Sequence, residues 1–238
     1  MTGELEARVA AFERAAGVSV CGVLLVLGAV AAPCEARAAG AHEAVQAATP
    51  SRSSSLLNAS ARAWSGTTGY TATVTVFEQK DNRVQNVRFN YSFRKPSNVT
   101  VDVLAGTNAG VTLVWDGGTS VVVHRGSGLA AMFKKTLSLH DPQVTTIRGS
   151  SIDELSFGRI LTHARQTPGR LSIGRRVVIG GVAAETVTLI PASPATNAAL
   201  TREVLEISTE THLPMRVLGF QGRALVRKID YSNVKLAR

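Results

Sequence analysis

The chain has 238 residues, of which 45% are hydrophobic and 18% charged, with a formal net charge of +9. Two cysteines exclude a disulfide scaffold, and 5% aromatic residues, with cations dispersed as Arg94-Lys95, Lys134-Lys135 and Arg175-Arg176, argue against nucleic-acid binding. Anionic membrane surfaces or lipid headgroups are the expected partners for the charge, against the plainer reading of a solvated basic surface.

The first element is an uncharged run of 15 residues, Val18 to Ala32, preceded by Arg8 and Arg14 and followed by Ala36-Arg37-Ala38. It falls short of the roughly 20 residues a membrane span needs, and the small-x-small site fits cleavage after Ala38. Residues 1–38 are therefore expected to be a signal peptide of an exported protein. Lipidation at Cys34 and retention as an anchor are the alternatives. Cleavage removes Cys21 and Cys34, and with three basic and four acidic side chains lost the net charge becomes +10.

Residues 39–55, rich in Ala, Ser and Thr, read as a flexible linker. The remaining residues, 56–238, are long enough for one domain with its own core. Leu56, Leu57, Ala61 and Trp64 fall near one helical face, and Gly66 and Gly69 close the segment.

Period two follows. Tyr70, Ala72, Val74 and Val76 alternate with threonines, Lys80 to Arg83 forms a polar turn, and Val87, Phe89, Tyr91 and Phe93 alternate with polar residues. This predicts a long antiparallel hairpin with one dry face. Pro96 marks a strand end, Val99, Val101 and Val103 begin the next strand, and Trp115-Asp116-Gly117-Gly118 turns the chain towards Val121 to Val123.

The period then changes. Leu129, Met132, Phe133 and Leu137 predict one amphipathic helix beside Lys134 and Lys135. Phe157, Ile160, Leu161 and Ala164 predict a second, started by a capping box at Ser151 to Glu154. Gly158 inside it weakens the helix by about 1 kcal/mol relative to alanine. From Arg170 onward, turn signals recur among strand-like runs, and about ten antiparallel strands are expected in all. The fold class is mainly β with a helical insertion: a curved antiparallel sheet whose concave side the helices cover.

The order of helix, hairpin, Phe-Arg-Lys-Pro, strand, Trp-Asp-Gly-Gly, helices and meander resembles the LolA/LolB family of periplasmic lipoprotein carriers and its uncharacterised relatives. The matching motifs are Lys95-Pro96, Val99-Thr100-Val101, Asp116-Gly117, Thr211-His212-Leu213-Pro214 and Tyr231-Ser232-Asn233-Val234, spanning about Ser54 to Leu236. The resemblance implies a half-open β-barrel, capped by helices, that shields acyl chains of lipids or lipoproteins. Tyr70, Phe89, Tyr91, Phe93, Trp115, Met132 and Phe133 would line its interior or fill it. In such carriers an arginine before the proline holds the helical lid; here that place is Lys95, with Arg94 beside it.

Two uses of this fold stay open: a carrier of lipid or lipoprotein acyl chains in a Gram-negative-type envelope, and an envelope module that recognises a protein or polymer. An enzyme is not expected. His42, His124, His140, His163 and His212 show no metal spacing, Gly-x-Ser-x-Gly is absent, and His140-Asp141 reads as part of a turn with Pro142. No cofactor, no metal and no nucleic-acid partner is expected, and the protein is expected to be a monomer.

Overall fold

The computed structural model describes residues 51–126 and 134–237, and among these the alternating runs become one sheet. Its strands are β1 (Gly69–Lys80), β2 (Arg83–Arg94), β3 (Asn98–Ala105), β4 (Val111–Trp115), β5 (Ser120–Arg125), β6 (Lys134–Ser138), β7 (Gly169–Ile179), β8 (Val182–Pro191), β9 (Arg202–Ser208), β10 (Pro214–Gln221) and β11 (Ala224–Ala237). The order is β6-β5-β4-β3-β2-β1-β11-β10-β9-β8-β7, antiparallel throughout. The first and last strands of the meander meet at the centre, where β1 pairs with β11, and the sheet is curved but open, with β6 and β7 as its edges.

Period two sets the register. Tyr70 pairs with Phe93, Ala72 with Tyr91, Val74 with Phe89 and Val76 with Val87, so the apolar positions of both strands share the inner face. On β11, Ile229 and Tyr231 face the same way opposite Val76 and Val74. The outer face carries charges in register: Arg216 reaches Glu206 at 3.4 Å and also bonds Asp230, to which Lys228 lies 3.0 Å away.

Two α-helices are described, α1 (Arg52–Ser65) and α2 (Phe157–Gln166). Helix α1 begins inside the stretch read as linker, because Ser51 caps it by accepting from Ser54 N–H at 3.3 Å. Helix α2 buries Phe157, Ile160, Leu161 and Ala164, the stripe expected from sequence. Its cap differs from expectation. Ser156 accepts from Arg159 N–H at 3.3 Å, while Ile152–Leu155 is a separate 3-10 turn in which the Ser151 side chain bonds Asp153.

Two expectations need further correction. Lys134 to Leu137 do not continue a helix; they lie in edge strand β6, paired with β5 from Ser120↔Ser138 to His124↔Lys134. The two lysines suit an exposed edge, where charge opposes further strand pairing. Leu129, Met132 and Phe133 lie outside the described residues. The strands number eleven among the described residues, in line with the ten or so expected: β6 is added, and the two runs expected between Ala224 and Leu236 form one strand, β11.

Gly158 has a packing role. A Cβ there would lie 2.7 Å from Trp64 Nε1 and 3.1 Å from Trp64 Cε2, so the helices approach as closely as they do because this position is bare. Although alanine is the better helix former, Gly158→Ala is expected to destabilise the domain by about 1–3 kcal/mol through overpacking. Urea unfolding checks this, with a lowered midpoint at unchanged slope as the expected result.

Candidate functional site

On the inner face, an aromatic floor meets a helical cover. The floor is Tyr70, Tyr91, Phe93 and Tyr231, all buried. Phe157 from α2 stacks on Tyr70 at 4.1 Å between ring centroids and 11° between planes, and packs on Tyr231 at 5.0 Å. Trp64 from α1 closes the other side against Tyr70, Phe93 and Phe157 at 5.4–6.2 Å. Leu57, Ile152, Leu155, Ile160 and Leu161 complete the apolar layer.

The 3-10 turn is polar backbone enclosed by this layer, and its carbonyls need donors. Tyr231 donates to Leu155 C=O at 2.6 Å, Tyr70 to the same oxygen at 3.4 Å, and Tyr91 to Ile152 C=O at 3.0 Å. The floor therefore grips the cover through hydroxyls on otherwise apolar rings. Burial pushes all three phenols above their ordinary value, for Tyr70 and Tyr91 with help from neighbouring phenols.

Lys95 supplies a second grip. Its Nζ donates to Trp64 C=O at 2.8 Å and Ser65 C=O at 3.2 Å, and stands 4.6 Å over the Trp64 ring. A cation at these last carbonyls of α1 satisfies acceptors the helix leaves open and complements its dipole. Arg94, one residue earlier, is exposed, and its side chain makes no hydrogen bond or ion pair among the described residues. Of the two candidate lid contacts, only Lys95 touches a helix.

The other candidates separate. Phe89 lines a small apolar cavity of about 70 Å³ with Val76, Val101, Val103, Ile152 and Leu155. That is room for about two waters at roughly 30 Å³ each, and none for an acyl chain. Trp115 lines a larger cavity, about 910 Å³, and donates from Nε1 to Gly118 C=O at 2.6 Å. Charged side chains make up part of its wall. Asp153, Glu154, Arg159, His163, Glu203 and Arg227 line it; Arg159 lies 3.3 Å from Asp153, and His163 lies 3.7 Å from the buried Glu203. Burial pushes the Glu154 carboxyl up, with Arg227 drawing it back. Beside it, the fully buried Glu78 accepts from Arg148 N–H at 3.0 Å, while its other oxygen stands 3.7 Å from Arg227 Nε; neither of these last two atoms has a hydrogen bond.

Sequence reasoning placed Phe157 on the covering helix but missed Tyr231 as a floor residue. The signal was present for Tyr231, which alternates with Ile229 along one strand. Among the described residues, no cluster of three His, Cys, Asp or Glu side chains could hold a metal, and no helix is long and apolar enough to cross a membrane. His140 is exposed, and Asp141 closes a turn by accepting from Gln143 N–H at 2.8 Å.

All three tyrosines of the chain, Tyr70, Tyr91 and Tyr231, are buried. Their raised values mean that above about pH 10 the unfolded state loses phenolic protons that the folded state keeps. The stability they contribute is complete below that pH and falls as pH rises further. Alkaline titration at about 295 nm, where tyrosinate absorbs, should therefore show no tyrosinate at about pH 10–11, then one steep rise coincident with loss of the far-ultraviolet dichroism of the fold.

No protein-family model matches the chain, and no curated protein matches it. Solved structures similar to it include an uncharacterized conserved protein of Thermus thermophilus, at 9% identity, TM-score 0.47, covering 77% of this chain and 86% of that one. LprF of Mycobacterium bovis has 14% identity and a TM-score of 0.45, covering 76% and 91%. A LolA superfamily protein of Nitrosomonas europaea has 12% identity and a TM-score of 0.35, covering 78% and 94%. Likenesses this distant decide nothing about ligand or activity.

Proposed function

We propose that this is an exported binding protein of the bacterial cell envelope that receives acyl chains of lipids or lipoproteins between its aromatic floor and its helical cover. It acts without catalysis. The observation that carries the reading is the fastening of the cover: the 3-10 turn and α2 rest on the apolar floor, and hydroxyls of that floor hold the turn. The motif resemblance from Ser54 to Leu236 supports it.

The energies of exchange are of one size. The cover contributes five buried apolar side chains, Ile152, Leu155, Phe157, Ile160 and Leu161, at about 1.5–3 kcal/mol each. An acyl chain of about 15 methylenes regains roughly 12 kcal/mol at ~0.8 kcal/mol per CH₂. A chain can thus replace the cover on the floor. Lys95 keeps the end of α1 anchored and is the pivot of this reading.

A second reading draws on the little apolar space left beside Phe89. With an apolar cavity of about 70 Å³, the fold could serve as an envelope module that recognises a protein or polymer through its surface, without taking up lipid.

A fluorescent long-chain fatty acid separates them. The delipidated protein is expected to bind it saturably, and Tyr91→Phe/Tyr231→Phe to bind it about five- to thirtyfold more tightly. Loss of two hydrogen bonds at about 1 kcal/mol each favours the uncovered state to that extent. Absence of saturable binding by both folded proteins would remove the acyl reading and leave the second.

A further inference from the structure

A third cavity lies beyond the apolar one. It is a cleft of about 1040 Å³ at one end of the sheet, and the topology collects basic residues around it from separate elements. The β1–β2 turn contributes Lys80 and Arg83, paired across the hairpin; the end of β5 contributes His124 and Arg125; β6 contributes Lys135; His140 follows. Among the described residues no carboxylate lines the cleft. Asp81 and Asp141 lie nearby in sequence but are not part of its wall.

Three of these cations have no side-chain partner among the described residues. Lys80, Arg83 and Arg125 make no side-chain hydrogen bond or ion pair among the described residues, whereas Lys135 donates to Gln143 Oε1 at 3.1 Å. His124 Nδ1 is buried in the wall without a hydrogen bond. Like charges gathered in a concave site repel one another until an anion neutralises them, and low-dielectric walls focus their field into the opening. The loop on the far side is fixed: Ile147 N–H donates to Gln85 Oε1 at 2.9 Å, and Asn108 Nδ2 donates to Gln143 C=O at 3.3 Å.

The cleft also borders the apolar interior. It shares Val111, Leu113 and Val144, together with polar residues such as Gln85, Asn108 and Gln143, with the small cavity lined by Phe89, Ile152 and Leu155. A free anion would use only the basic half. A molecule with an anionic head and an apolar tail uses both.

We infer that this cleft is the headgroup site of the protein, selecting lipids that carry a phosphate group. The phosphate sits among Lys80, Arg83 and Arg125, and its tail enters past Val111, Leu113 and Val144 towards the cover. Arginine suits this task because its guanidinium can bind two phosphate oxygens at once. The inference rests on the acyl-binding reading and specifies the lipid class.

The test is calorimetry of the delipidated full chain with three probes: a lysophosphatidylglycerol, a monoacylglycerol of the same chain length, and inorganic phosphate. The phosphate-bearing lipid should bind at least about tenfold more tightly than the uncharged one, a margin that narrows with salt. Lys80→Gln/Arg83→Gln/Arg125→Gln should abolish the preference. Arg170→Gln/Arg175→Gln/Lys235→Gln, which removes as many exposed charges outside the cleft lining, should keep it. Retained preference in the cleft variant, or equal loss in the control variant, overturns the inference. So does inorganic phosphate binding as tightly as the lysolipid. Equal binding of both lipids overturns the headgroup site and leaves the acyl reading standing, whereas binding of neither lipid removes the acyl reading as well.

Discussion

The structure depends on an apolar floor whose rings end in hydroxyls. In the short turn Ile152–Leu155, Ile152 and Leu155 are buried between sheet and helices, and their carbonyls take their donors from the floor. Phenylalanine in place of Tyr70, Tyr91 and Tyr231 would give an equally apolar floor and leave those acceptors stranded, at about 1–3 kcal/mol for each. Tyrosine lets the same side chains pack on Phe157 and hold the turn. Because Leu155 C=O accepts from two of them, on β1 and β11, the cover is fastened across the seam where the first and last strands pair. Docking of the cover and closure of that central pairing are thereby coupled.

The inner face divides chemically from there. Towards β2, β3 and β4 it is valine, leucine and aromatic rings. Around β9, β10 and β11 it includes Glu203 and Arg227, and Glu78 stands inward at the far end of β1. Isolated buried charges would cost several kcal/mol each. Here Glu78 meets a backbone N–H of the segment before the turn as well as Arg227, so part of the charge is spent in fixing where the covering segment starts. Apolar packing alone is non-directional. The carboxylate gives the segment a register that packing would not.

Much of this was legible in the sequence because strand burial has a period of two and survives without knowledge of partners. The β1–β2 hairpin, its polar turn, the inner set of Tyr70 through Val76 and Phe89 through Phe93, and the stripe of α2 all follow from that rule or its helical counterpart. The failures have a common cause. Lys134 to Leu137 sit at a sheet edge, where one face is not strongly buried and periodicity is weak, so isolated apolar residues upstream made a helical pattern fit. Ser151 and Ser156 both precede acceptable helix starts, and the choice between them was made by the hydroxyls on the turn, which come from strands 61 to 85 residues away. Gly158 looked like a local weakness because Trp64, the reason for it, lies in another helix. The basic cleft was invisible for the same reason: its cations look dispersed along the chain and meet only through the meander.

Lys95 shows how a single position joins these levels. It opens the turn that follows β2, and its side chain meets the end of α1, where open carbonyls and an indole ring both favour a cation. An arginine's planar fork would hold two carbonyls in fixed geometry, whereas an ammonium holds them as a point charge on a flexible stem. The helix end remains tied while its angle is free to adjust. A cover anchored through such a contact can lift at the turn, where the hydroxyl bonds are few, without α1 leaving the sheet. The cost of lifting then falls on the apolar contacts of α2 and the turn, which on the proposed acyl-binding reading are the contacts a lipid tail replaces.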